Sequence, residues 1–232
     1  MDNSPYSHDS RYELAVQRFM VKVYGWMAAA LMVTGFVALL VVSNESLLDL
    51  IFGNKLVFYG LILLELVLVG YMAIWVRNMT ASTATLVFLL YACLNGVTMS
   101  FIFLIYTTGS IASTFFITAG TFAVMSIYGY TTKSDLSKWG NILFMGLIGI
   151  IIASVANMFM NSPVLYWITT YVGVLVFVGL TAYDTQRIKE SAAIGTEDSE
   201  EESKAAVMGA LTLYLDFINL FLKLLRIFGR RK

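Results

Sequence analysis

Long apolar stretches separated by short polar ones dominate the chain. Six of them, Val23–Val42, Leu56–Val76, Ala84–Tyr106, Ile111–Tyr130, Ile142–Met160 and Val164–Tyr183, match the roughly 20 residues that a helix needs to cross a bilayer. A seventh, Ala205–Leu222, is shorter and carries Asp216 and Asn219. Within such runs the helical period says little, because the lipid-facing and the buried sides are both apolar, so length decides. Only two prolines occur, Pro5 near the start and Pro163 at a turn, so proline interrupts none of the runs. The pattern predicts an all-α integral membrane protein of seven transmembrane helices.

Composition agrees. Of 232 residues, 59% are hydrophobic and 13% charged, against roughly 25% charged in a soluble domain. The formal net charge is zero, which argues against nucleic acid as a partner. One cysteine, Cys93, and one histidine, His8, allow neither an intrachain disulfide nor a Cys/His metal site. We expect no catalytic residues and no resident cofactor; the lipid bilayer is the first partner.

Residues 1–22 read as a polar N-terminal tail, residues 23–225 as the transmembrane domain, and residues 226–232 as a basic C-terminal tail. No small-residue cleavage site follows the first apolar run, so that run is expected to stay as a helix. The connections are short except Thr185–Lys204, which holds six acidic and three basic residues. Its run Glu197, Asp198, Glu200, Glu201, Glu202 reads as a solvated loop. The sharper alternative is an acidic vestibule that attracts calcium.

Lysine and arginine set orientation. With a cytoplasmic N-terminus, nine of them fall inside (Arg11, Arg18, Lys22, Arg77, Lys133, Lys138, Arg187, Lys189 and Lys204), and Lys55 alone falls outside. The C-terminal cations Lys223, Arg226, Arg230, Arg231 and Lys232 break the pattern if the seventh segment crosses. Crossing and re-entry both remain open on sequence grounds.

Three carboxylates sit at membrane depth, where ionisable groups cost about 2.5–3.5 kcal/mol and mark functional sites by default. Asp184 closes Gly179-Leu180-Thr181-Ala182-Tyr183-Asp184-Thr185-Gln186. Asp216 lies in Leu213-Tyr214-Leu215-Asp216-Phe217-Ile218-Asn219. Glu65 lies mid-run between Leu64 and Leu66. Lys204 precedes Asp216 by 12 residues, so Asp216 lies about 18 Å in from that end, whereas Asp184 is near the surface. They meet only if the inner end is indented or the seventh helix sits low. Two carboxylates in contact cannot both be ionised cheaply, so such a pair shares a proton. Deprotonated, it offers calcium hard oxygen ligands. The plainer readings are that Asp184 caps a helix end or pairs with Arg187, that Arg77 is an ordinary positive-inside anchor, and that Glu65 is a protonated carboxyl bonded across helices. Glu65 and Asn219 are candidate pore-lining groups.

At these motifs the chain resembles the Bax inhibitor-1 family, in particular its bacterial inner-membrane branch. Residues Gly179–Gln186 and Leu211–Phe221 carry most of the likeness. Met125-Ser126-Ile127-Tyr128-Gly129-Tyr130-Thr131-Thr132 and Val23-Tyr24-Gly25-Trp26-Met27 support it. The resemblance implies six helices around a central last one, and a pH-sensitive calcium leak gated by two aspartates that match Asp184 and Asp216. It also implies an arginine latch from the second helix, for which Arg77 is the candidate at that level. Two further classes compete. An intramembrane aspartyl protease would fit Tyr183-Asp184, but its Gly-x-Gly-Asp motif would need glycines where Leu213 and Leu215 stand. A non-transporting regulator would bind another membrane protein, such as a membrane-anchored ATP-dependent protease, with residues 1–22 as the handle.

Overall fold

The computed structural model describes residues 5–192 and 199–232, without the side chains of residues 5–11 and Arg77. Glu197 and Asp198, and the side chains of His8, Arg11 and Arg77, therefore lie outside the described residues. The helices are α1 (Pro5–Val42), α2 (Glu45–Phe52), α3 (Lys55–Trp75), α4 (Ala81–Met99), α5 (Ile102–Ile105), α6 (Thr108–Thr131), α7 (Ser137–Met160), α8 (Pro163–Ala192) and α9 (Glu200–Phe228), with a 3-10 turn at Val76–Asn78. Among the described residues seven segments are long and apolar enough to span a membrane. The chain is an all-α, multi-pass membrane protein.

Several boundaries differ from the sequence reading, each for a physical reason. The first helix starts at Pro5 and absorbs most of the expected polar tail. Val16, Phe19, Met20 and Val23 are buried at helical spacing, so one apolar stripe runs through a segment that also carries Gln17, Arg18 and Lys22. The third span breaks at Ser100–Phe101, between α4 and α5. The connection Asn44–Lys55 is not plain loop but contains α2, started by Asn44, whose side chain accepts from Leu47 N at 3.2 Å. The sixth span continues through Asp184 to Ala192, so Asp184 is a helix-interior residue rather than a cap. The seventh is a single unbroken helix of 29 residues, about 43 Å long. It is longer than the expected Ala205–Leu222 and extends into the expected basic tail.

The chain divides into two compact units, Met1–Ile105 with Lys189–Tyr214, and Tyr106–Ile188 with Leu215–Lys232. In the first, α1 and α3 pack along α4, and the buried Tyr214 ring meets Phe88 and Tyr91 edge-on. The start of α9 is anchored by its acids. Glu202 pairs with Lys22 at 2.8 Å, Glu200 accepts from Ala81 N at 3.1 Å, and Glu201 pairs with Lys204. These three acids belong to a helix N-terminus, where negative charge is favoured, and not to the loop expected from their sequence.

The second unit has a core of Ile150 on α7, Val176, Phe177 and Leu180 on α8, and Leu220 and Leu224 on α9. Glycines set its tightest contacts. A Cβ at Gly129 would collide with the Ala182 backbone, so α6 and α8 can lie this close only because Gly129 lacks one. Gly173 admits the stem of Lys223 in the same way, with Cε 2.8 Å from where its Cβ would stand. Of the seven candidate spans among the described residues, α9 has the largest buried share, about two-thirds of its apolar stretch.

Candidate functional site: an intramembrane carboxyl pair

The second unit brings Asp184 on α8 and Asp216 on α9 together. Their side chains hydrogen-bond to each other, and two carboxyl oxygens in that contact need a proton between them. The displacement needed for this meeting lies in the helix lengths. At 30 and 29 residues, α8 and α9 are about 45 and 43 Å long and overhang a hydrocarbon core of about 30 Å. The antiparallel pairing of Gly173 with Lys223 and of Tyr166 with Arg226 keeps the two helices in one register.

The pair's environment is polar but incompletely bonded. Asp216 is buried, and its Oδ2 has no hydrogen-bond partner. Thr185, next to Asp184, is fully buried with an unpartnered hydroxyl, as is that of buried Ser126 on α6. Ser126 lies one turn before Gly129 on the same helix. Arg187, one turn past Asp184, is exposed and acts on it electrostatically. Asn219, one turn past Asp216, is half-buried and donates through Nδ2 to Leu215 O at 2.8 Å.

Two site features escaped the sequence reading. Gln186 accepts from Leu136 N at 2.9 Å and donates to Ser134 O at 2.9 Å, tying the α6–α7 connection to α8 two residues beyond Asp184. Lys223 is buried as well, and Arg226 lies 5.1 Å from the centroid of the Tyr166 ring. Asp216, Asn219, Lys223 and Arg226 follow one another at i, i+3, i+7 and i+10, which is one face of a helix. Two of the five C-terminal cations are therefore taken up inside this unit.

Glu65 belongs to the other unit, where it accepts from Thr98 Oγ1 at 2.7 Å. The backbone of Arg77 lies in the 3-10 turn after α3; its side chain is outside the described residues.

Residues 16–232 match the family described as "Inhibitor of apoptosis-promoting Bax1". The chain belongs to the Bax inhibitor-1 family. The family relatives include the Escherichia coli "Inner membrane protein YbhL", 51% identical over 218 residues that cover 94% of this chain and 93% of that one. A protein of Borreliella burgdorferi is 47% identical over 219 residues, 94% of each chain. One of Rickettsia prowazekii is 42% identical over 228 residues, 97% of this chain and 95% of its own. The family match takes in residues of both units, and the positions of Asp184 and Asp216 fall within it.

Proposed function

We propose that this Bax inhibitor-1 family protein is a pH-sensitive, calcium-permeable leak channel of the bacterial inner membrane, gated by Asp184 and Asp216, with its N-terminus in the cytoplasm. The observation that carries the reading is the direct hydrogen bond between two carboxyls on separate spanning helices. A pair holding one proton carries one negative charge; releasing that proton leaves two, which a divalent cation can neutralise. The unpartnered oxygens of Asp216, Thr185 and Ser126 are the donor type calcium takes. Among the described residues no cluster of three acidic, His or Cys side chains is present. Two carboxylates suit transit better than storage, because calcium affinity rises with the number of charged ligands. Arg77 is the proposed latch that holds the ionised pair closed. Orientation follows from nine Lys/Arg against one, and the membrane from the printed name of the Escherichia coli relative.

The test is calcium flux into liposomes holding the purified protein, at several pH values from about 5 to about 8, all above the roughly 3.9 of an unperturbed aspartate. We expect a pH-dependent flux in the parent and a flattened one in Asp216→Asn. Absence of flux in the parent would overturn the channel reading and leave that of a non-transporting regulator bound to another membrane protein.

A further inference from the structure

A second oxygen-rich site lies in the other unit, around Glu65. This residue stands ten positions from each end of α3, about 15 Å from either end and so near the membrane midplane. A carboxylate at that depth must be neutralised by a proton or a cation. Its neighbours come from one face of α4, where Tyr91, Asn95 and Thr98 are spaced i, i+4, i+7. Thr98 Oγ1 donates to Glu65 Oε1 at 2.7 Å, and Asn95 Nδ2 points at Tyr91 OH at 3.5 Å. Asn95 is more than nine-tenths buried, yet its Oδ1 has no partner. The nearby Tyr214 hydroxyl is already bonded to Thr34 at 2.7 Å, and so does not satisfy it.

The backbone adds to the same sign of potential. α4 stops at Met99, one residue past Thr98, and the chain breaks at Ser100–Phe101 before α5 resumes. The partial negative charge of the α4 C-terminus therefore falls beside Glu65. In transporters, helices interrupted within the membrane use such C-terminal ends to hold sodium or protons. Around Glu65 the acceptors are a carboxylate, an orphan amide oxygen and a helix C-terminus, with one hydroxyl proton directed at them.

We infer that Glu65, Asn95 and Thr98, with the C-terminal end of α4, form a binding site for a small monovalent hard cation of the sodium class. Charge selects the class. One carboxylate neutralises one positive charge, whereas a divalent ion would leave an unpaired charge in a low-dielectric interior, a state that is strongly disfavoured. The site is distinct from the aspartate pair and does not depend on the calcium reading.

The test is thermal unfolding of the full-length protein in detergent micelles, in sodium chloride against choline chloride at equal ionic strength. A ligand that binds only the folded state raises the midpoint with the logarithm of its concentration. We expect sodium to raise it, Glu65→Gln and Asn95→Leu each to abolish the rise, and Asp216→Asn to leave it intact. Asn95→Asp, which adds a second carboxylate, should transfer the response from sodium to calcium and tests the site even if Glu65→Gln does not fold. Equal midpoints in the two salts overturn the inference in favour of a protonated, purely structural Glu65. So does a sodium response that persists in Glu65→Gln, or one that Asp216→Asn removes.

Discussion

Tyr106 and Arg231 face each other across an antiparallel backbone bridge. Beside it Thr107 N donates to Arg230 O at 2.9 Å, and Gly229 sits under the Tyr106 ring, where a Cβ would have no room. The C-terminal segment is thus bonded to the connection between the third and fourth spans. α9 is long and apolar enough to span a membrane and ends at this connection, so Arg230, Arg231 and Lys232 lie at the Thr107–Ser110 end of the unit. Of the two readings left open by the sequence, this geometry supports crossing over re-entry.

Reporter fusions at the C-terminus should therefore give the same sidedness as fusions after Gly109 and Ser162, and the opposite one to a fusion after Lys138. With the orientation proposed above, the C-terminus reads periplasmic and Lys138 cytoplasmic. A cytoplasmic C-terminus alongside a periplasmic Gly109 would contradict the bridge.

Gly129→Val should lower stability by about 1–3 kcal/mol, the usual cost of forcing extra atoms into a packed contact. The new side chain meets the Ala182 backbone, which cannot rotate out of the way as a side-chain tip could. The midpoint of thermal unfolding in micelles measures the change, with Gly120→Val on the same helix as the control. A Cβ at Gly120 meets nothing, so that variant should unfold close to the parent. Equal losses in both would mean that valine's helix propensity, and not the α6–α8 contact, is being read.

How much of this was legible beforehand depended on which property carried each feature. The spans were visible because length alone identifies them in a bilayer. Their ends were not, because a helix that leaves the hydrocarbon continues on its own hydrogen bonds. The stripe Val16, Phe19, Met20, Val23 and the tract from Asp184 to Ala192 are helical for that reason, among polar neighbours. The break at Ser100 carries no proline to announce it. For the site, depth and spacing singled out Asp184, Asp216 and Glu65, but the Asp184–Asp216 contact needed the true lengths of α8 and α9. Gln186 and Lys223 were overlooked because a glutamine near a helix end and a lysine near a C-terminus look ordinary until their burial is known.

Arg77 carries the least geometry and is tested by function. If it latches the pair, Arg77→Ala should raise calcium leak at neutral pH, and Arg77→Lys should fall between, since lysine keeps the charge but loses the planar fork that grips carboxylates. Flux in liposomes at matched protein incorporation is the measurement. Parent-like leak in both variants would make Arg77 a topology anchor only.

The last prediction concerns Asp184 and Asp216 as one unit. A shared proton belongs to neither side chain alone, so replacing either carboxyl by an amide removes the shared state entirely. Asp184→Asn and Asp216→Asn should therefore each flatten the pH dependence of calcium flux. The double variant should add little to either single, because the second substitution acts on a pair that no longer exists. Independent sites behave otherwise: their effects on the logarithm of flux add within about 0.5 kcal/mol in free-energy terms. The measurement is a double-mutant cycle of flux at several pH values, with unfolding midpoints recorded to separate gating from misfolding. Additive single effects would mean that the two aspartates work separately, and the hydrogen bond between them would then be a packing contact without a role in gating.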